Sequence, residues 1–384
     1  MSVTCRFTDT LASITPAAWD QLALGDNPFL SHAFLFGLES TDCLAGQSGW
    51  YPNYLLAERD GELLAAAPCY IKTNSMGEYV FDWAWADAYH RNGQNYYPKL
   101  LTAVPFSPVI GPRLLVSSEE TRTTGLQQLL IEAQTEYCGQ HGLSSWHINF
   151  PEAGEYAEYK TANGDALERF DWQFHWYNQN FECFDEFLAS LSHKKRKNIR
   201  QERSSILKSD IDCVMQTAAQ STETELDFAV QCYQRTFISK GNPPMLKREF
   251  FLHLAASMPE QLLISLARRD GQLIAAAIFL QGGGRLYGRY WGSMERVPAL
   301  HFELCYYQGI EYCINHRLSV FEPGAQGEHK ISRGFQPTRT RSLHYIHDPI
   351  FRKAISAYLE QEADWLEDYH QRLSDRSPFR HPES

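Results

Sequence analysis

An internal repeat constrains this chain more than any other feature. "LLAERDGELLAAAPCYI" begins at Leu55 and "LISLARRDGQLIAAAIFL" at Leu263, so Arg59-Asp60-Gly61 recurs as Arg269-Asp270-Gly271. Each copy reads as strand, tight turn, strand, and Asp-Gly supplies the left-handed backbone that a two-residue hairpin turn requires. The small residues of "LLAAA" and "LIAAA" suit a surface against which a helix or ligand packs closely. A second correspondence pairs "TRTTGLQQLLIEAQTEYCGQHGLSSWHINF", from Thr121, with "ERVPALHFELCYYQGIEYCINHRLSVFEPG", from Glu295. Cys138 and His141 fall opposite Cys313 and His316. Both copies read as an amphipathic helix that stops near His-x-Leu-Ser and leads into a short apolar strand. The same elements in the same order twice mean duplicated domains.

Two α/β domains also suit 384 residues, which exceed what one core usually organises. The expected division is an N-terminal domain at 1–182, a basic connecting helix at 183–208, a C-terminal domain at 209–370 and a flexible tail at 371–384. The first half has the longer hairpin-to-helix spacing. It therefore carries an insertion, about 77–121, that includes the aromatic run "YVFDWAWADAYHRNGQNYYPKL".

Composition narrows the function classes. With 43% hydrophobic, 13% aromatic and 21% charged residues, the chain is globular rather than disordered. A net charge of −11 argues against a surface coated for nucleic acid. Nine cysteines without a C-x-x-C pair favour reduced thiols over a disulfide framework or a zinc site. The opening "MSVTCRFTDTLASITPAAWDQL" has no signal-peptide pattern, and apolar runs such as Leu273–Leu280 are far shorter than the roughly 18 residues of a membrane span. A cytoplasmic protein is expected. The G-x-S-x-G, H-E-x-x-H and Walker motifs are all missing, which leaves hydrolase, zinc-protease and P-loop readings unsupported.

The stretches "GEYVFDWAWADAY", "YYPKL", "KKRKNIRQER", "GRYWG", "HFELCYYQ" and "FEPGAQGEHKISRGF" span most of residues 27 to 350. With them the chain resembles the FemAB-like branch of the GNAT superfamily, a bacterial family of N-acyltransferases associated with peptidoglycan biosynthesis. The resemblance implies tandem GNAT-like domains with a cleft between or within them, and transfer of an acyl or aminoacyl group to an amine.

The donor is open between two classes. Ordinary GNAT enzymes hold acyl-CoA pyrophosphate on backbone N–H groups at a helix N-terminus. The loops in question here are Arg122-Thr-Thr-Gly125-Leu-Gln127 and Arg296-Val-Pro-Ala299-Leu-His301. Both depart from the family's pattern at the last small residue, and the proline of the second removes a donor. FemAB-type enzymes use aminoacyl-tRNA instead. "SHKKRKNIRQER" (Ser192–Arg203), if helical, aligns Arg196, Arg200 and Arg203 on one face with His193 and Lys197 beside them. That face is either a phosphate contact, weakened by salt, or a solvated connecting helix.

The candidate catalytic stretch is "EPGAQGEHKISRGF", Glu322 to Phe335. Its first-half counterpart "HINFPEAGEYAEY" sets Gly154-Glu155 against Gly327-Glu328, which favours a structural role for that pair. His329 and Lys330 occur in the second half alone and point the chemistry there. Acyl transfer to an amine needs a proton acceptor and positive or N–H groups for the oxyanion. His329 titrates in the useful range, and Glu328 is the alternative if its pKa is raised. Lys330 and Arg333 are the candidate phosphate or oxyanion holders. The resemblance adds that a Tyr/His-Lys…Phe-Gly element here contacts the acceptor's phosphates, which Lys330 and Phe335 match.

Further candidates are Arg289 and Trp291 of "GRYWG", beside a donor cleft or in the core, and Asp82 and Trp85 of the insertion. Asp82 is either part of an acceptor-pocket wall with Trp83, Trp85 and Asp87 or a buried hydrogen-bonded acid. "KGNPP", Lys240 to Pro244, is a turn that in such relatives borders the substrate, and "QGGGRLYG" is a hairpin turn. The expectation is an acyltransferase with no tightly bound cofactor and no metal, whose donor is acyl-CoA or aminoacyl-tRNA. Its acceptor is a small-molecule or nucleotide-linked amine such as a cell-wall precursor. The alternatives are a CoA-dependent acetyltransferase of a small molecule, and a non-catalytic tRNA- or precursor-binding protein with a retired cleft.

Overall fold

The structure, a computed structural model, describes residues 2–22, 26–117, 125–324 and 327–380. Its strands in chain order are β1 (Thr4–Thr8), β2 (Trp50–Pro52), β3 (Tyr54–Arg59), β4 (Glu62–Ala67), β5 (Cys69–Lys72), β6 (Lys99–Thr102), β7 (Leu115–Val116) and β8 (Ser145–Asn149). There follow β9 (Leu167–Tyr177), β10 (Ile211–Thr217), β11 (Leu262–Arg269), β12 (Gln272–Gly282), β13 (Arg285–Ser293), β14 (Val320–Glu322) and β15 (Gln336–Ile346).

The chain divides into two compact units. Unit one comprises residues 1–172 and 339–369, and unit two 173–338 and 370–384. This differs from the division expected at 182, 208 and 370. The segment 339–369 returns to the first unit. The basic helix, His193–Leu207, belongs wholly to unit two instead of connecting domains. Residues 371–374 are the last of helix Pro349–Ser374, and Phe379 bridges to Leu191. The tail is therefore held, at least that far.

In unit one the hairpin β3–β4 sits between β1 and β7, in the order β1-β3-β4-β7. A second sheet runs β15-β8-β6-β5-β2, with β8 parallel to β6 and the other three pairs antiparallel. Helix Leu126–His141 packs its apolar face on this framework. Leu126, Leu130, Ile131 and Cys138 join Leu55, Ala57, Ala65, Leu100, Trp146 and Ile148 in one core.

In unit two the order is β10-β11-β12-β13-β14-β9. Helix Glu223–Ser239, opened by a Thr222–Glu225 capping box, lies against β12 and β13. The alanines 275–277 are fully buried on this sheet. Gly292 is needed there: a Cβ would run into the Cys232 carbonyl of the helix. The equivalent of helix Leu126–His141 is built from Leu300–Phe302, a π-helical turn Glu303–Tyr307 and Gln308–Asn315.

The duplication is visible down to single residues. Both hairpin turns put Asp and Gly at positive φ (Asp60 and Gly61, Asp270 and Gly271). The register slips at the same place in each, between Ala57 and Glu58 and between Ala267 and Arg268. At the helix ends, His141 Nδ1 lies 3.0 Å from the Tyr137 carbonyl and His316 Nδ1 2.9 Å from that of Tyr312. In each case the histidine ring stacks on that tyrosine. "QGGGRLYG" is the β12–β13 hairpin, turning at Gly283 and Gly284.

Candidate active site

In unit two the stretch that follows β14 forms a short 3-10 helix, Glu328–Arg333. Gly327 enters it at a φ of 119°, where the Cβ of any other residue would meet the His329 ring. Gly334 leaves it at a φ of 93°, where a Cβ would run into the edge of the Phe187 ring. Gly154, the first-half counterpart, lies in an ordinary helix, Ala153–Ala162. The shared Gly-Glu pair thus has no shared conformation. Gly327 serves the His-Lys loop alone.

Lys330 is the unusual side chain of this loop. It is 2% exposed, and the bond recorded for its ammonium is a 2.6 Å donation to the Gly324 carbonyl. Burial pushes its pKa down to about 7, with neighbouring Cys305 opposing. A buried lysine without a carboxylate pays desolvation with little Coulombic return. Such groups cluster at functional sites.

His329, exposed beside it, has Nε2 2.8 Å from the Tyr306 hydroxyl. Burial, then the charges of Arg333 and Lys330, hold it below the ordinary imidazole range, so it is neutral at pH 7. His301 lies next in line, its ring 5.2 Å from Tyr306, 6.3 Å from His329 and 4.9 Å from Trp291. Burial first, then His329, Lys330, Arg333 and Lys240, depress it to about 4. Trp291 and Lys240 of "KGNPP" therefore lie in the surroundings of the same site. Arg289 has its guanidinium 5.4 Å from the Tyr290 ring on the same strand.

Two expected roles are corrected by geometry. Glu328 is exposed and ion-paired to Arg376 at 2.7 Å, so its carboxylate is engaged away from His329 and Lys330. Arg333 is a clamp rather than an open anion holder. It donates to Glu202 (2.7 Å), Tyr307 (3.0 Å) and the His329 carbonyl (3.0 Å), and its guanidinium lies 3.4 Å over the Phe302 ring. Those bonds fix the loop on which His329 and Lys330 stand.

The basic run is helical from His193, with Ser192 as N-cap. Its expected cationic face is divided. Arg203 is taken up by Glu303 and Glu311, and Arg200 makes an exposed pair with Asp185. Arg196, Lys197 and His193 of the same helix form no ion pair among the described residues. At the second CoA-like loop, Ala299 is left-handed and Leu300, Phe302 and Glu303 turn their N–H groups to the Val297 and Ala299 carbonyls. Few donors remain there for a pyrophosphate. Arg122, with residues 118–124, lies outside the described residues.

Asp82 and Trp85 sit in unit one and are not the wall of an open pocket. Asp82 is 2% exposed and accepts from Ser75, Lys99 and, at 2.6 Å, Tyr96. Burial alone would raise its pKa, but the Lys99 ammonium pulls it well below the usual carboxylate range. Lys99, wholly buried, also donates to Glu78 at 2.7 Å. Burial works against its charge, yet Asp82 and Glu78 hold it above the ordinary lysine range. His147 and His344 meet Nδ1 to Nδ1 at 2.6 Å, and burial holds both far below the usual value. One ring therefore donates to the other, both neutral. The buried hydrogen-bonded acid, the second sequence reading of Asp82, is the one its contacts match.

The sequence reading missed Tyr306, His301 and Glu202 in unit two and Lys99, Glu78, His147 and His344 in unit one. "HFELCYYQ" and "YYPKL" held several of them, but as parts of a resemblance without roles. Among the described residues no group of three or more His, Cys, Asp or Glu side chains has metal-site geometry, and no helix is long and apolar enough to cross a membrane.

Among solved structures, the fold is similar to that of FemX, at 12% identity and a TM-score of 0.53, over 93% of this chain and 100% of that one. A conserved protein of unknown function from Bacteroides thetaiotaomicron matches at 11% identity and a TM-score of 0.50, over 89% and 99% of the two chains. A tandem GNAT protein from the clavulanic acid biosynthesis pathway matches at 12% identity and 0.47, over 91% and 99%. No curated protein sequence matches. The architecture is mixed α/β, with the hairpin, helix and strand repeated in two units. Residues 10–381 match the FemAB-like family, described as peptidoglycan biosynthesis/recognition, and the chain belongs to that family.

Proposed function

We propose that the protein transfers an aminoacyl or acyl group to the amine of a cell-wall precursor, at the loop carrying His329 and Lys330. Lys330 carries this reading: a buried ammonium with a backbone carbonyl as its recorded hydrogen-bond partner, in a chain of the FemAB-like family. The acceptor ammonium loses its proton to neutral His329, and its nitrogen attacks the donor's acyl carbon. The oxyanion that forms is stabilised by the Lys330 ammonium and the Tyr306 hydroxyl. Collapse breaks the bond to the leaving oxygen of a tRNA ribose, or to the sulfur of a thioester, which takes up the nitrogen's surplus proton. An amide is left, and His329 returns its proton to solvent.

Aminoacyl-tRNA is the favoured donor. The N–H groups at the start of helix Leu300–Phe302 are turned inward, which disfavours the pyrophosphate of coenzyme A. Arg196 and Lys197 leave positive charge on the helix for phosphates. The test compares coenzyme A with charged and uncharged tRNA on purified protein, at low and physiological salt. Salt-sensitive preference for charged tRNA supports the reading. Tight coenzyme A binding moves the donor to acyl-CoA, and binding neither removes both.

A further inference from the structure

Helix Pro349–Ser374, which belongs to unit one as far as Tyr369, carries Tyr358, Gln361, Glu362 and Trp365 on one face, at the i, i+3, i+4 and i+7 positions. With Arg169, Phe170 and Asp171 of β9 they line an open groove of about 410 Å³. Single exposed apolar side chains need no explanation. Here, however, two aromatic rings flank one groove, Trp365 at 59% and Tyr358 at 43% exposure. Trp365 is also stacked flat on Tyr369, with the ring planes 3° apart, so its platform is held. The Trp172 indole ties strand to helix by donating to the Leu366 carbonyl at 3.1 Å.

The charges of the groove are already balanced. Arg169 makes a two-pronged pair with Glu362, both contacts 2.7 Å, and gives a third bond to the Phe81 carbonyl. Arg339, beside it, lies over the Phe170 ring and pairs with Glu367. Neither guanidinium is left to draw in an anion. The groups that remain are acceptors or neutral: Asp171, which takes one N–H from Trp172, the second lone pairs of Glu362, and the Gln361 amide. An aromatic platform facing hydrogen-bond acceptors is complementary to a ring with an apolar C–H face and O–H donors at its rim. Tyr358 and Trp365, seven residues apart, are separated by roughly 10 Å along the helix at ~1.5 Å per residue, a span that suits two such rings in succession.

We propose that this groove binds an uncharged pyranose oligosaccharide, with Tyr358 and Trp365 under successive sugar rings. The site stands on unit one alone and does not depend on the transfer reaction. Calorimetric titration of the full chain with cellotriose and with chitotriose tests it. The expected result is saturable binding of at least one trisaccharide, at least tenfold weaker in Trp365→Ala and in Tyr358→Ala and largely kept in Trp365→Phe. Trp83→Ala, which removes another exposed ring of the same unit, and Lys330→Ala leave it unchanged. Absence of saturable binding to both sugars by folded wild-type protein overturns the proposal. So does equal binding by Trp365→Ala, or displacement of the sugar by pyrophosphate, which would make the groove an anion site.

Discussion

Of the buried lysines Lys72, Lys99 and Lys330, Lys99 of unit one and Lys330 of unit two meet opposite fates. Lys99 sits among Asp82, Glu78 and Tyr96 and is held charged. Lys330 is as deeply buried, with one recorded carbonyl partner, and is pushed down to about 7. An ammonium costs several kcal/mol to bury, and only a well-placed counter-ion offsets that. Around Lys99 unit one supplies two carboxylates and so turns that lysine into structure, whereas Lys72 of the same unit donates to the Ser48 and Met76 carbonyls and is pushed by burial down to about 7. Unit two leaves the offset incomplete, so an incoming anion or oxyanion can provide it. Depth of burial alone does not distinguish the two; the partners do.

The widest separation between them is expected in activity. Lys330→Ala should lower transfer by at least 100-fold, the scale of losing one oxyanion donor, while Lys99→Ala protein that remains folded keeps most of it. Equal losses would erase the distinction. Stability should then reverse the order. Lys99→Ala leaves Asp82 and Glu78 buried without their cation and should cost about 3–5 kcal/mol, whereas Lys330→Ala should unfold within about 1 kcal/mol of wild type because it removes a poorly compensated buried charge. Chemical denaturation of both variants reads this directly.

The pH dependence sharpens the contrast further. The folded pKa of Lys330, about 7, lies below the roughly 10.4 of an unfolded lysine. Between those values the unfolded chain holds a proton that the folded chain lacks, so stability rises with pH across that window. Lys330→Met should lose this share of the rise. Pyrophosphate affinity at the loop should fall as pH increases through 7 in wild-type protein and stay level in Lys330→Arg. A wild-type affinity independent of pH from 6 to 9 would remove the ammonium from the site. The smallest effect is reserved for Glu328→Gln. An exposed pair such as Glu328–Arg376 is worth about 0–1 kcal/mol, and transfer should stay within a few-fold; a large loss would restore Glu328 as the proton acceptor.

Much of this fold was legible in the sequence because local rules wrote it. Asp-Gly at 60–61 and 270–271 demanded hairpins, and the paired His141 and His316 marked equivalent helix ends. The basic helix from about Ser192 was equally local. What escaped was set by distant partners. Nothing near Lys99 in sequence announces Glu78 and Asp82 as its counter-ions, and His147 meets His344 across 197 positions. Arg333 and Arg203 looked like anion holders until their carboxylates, Glu202 for one and Glu303 with Glu311 for the other, were brought to them. The return of residues 339–369 to unit one has the same origin. The partners of β15 and of helix Pro349–Ser374 lie far upstream, so periodicity alone assigned them to the nearer domain.

The most direct measurement is the titration of the Lys330 ε-amine, followed by NMR on isotope-labelled lysine and assigned by loss of the signal in Lys330→Arg. The account predicts a midpoint near 7 in the free protein, moving upward when pyrophosphate binds. A midpoint near the ordinary lysine value, unmoved by the anion, would show that the ammonium is already fully compensated and would contradict the functional contrast between the two lysines.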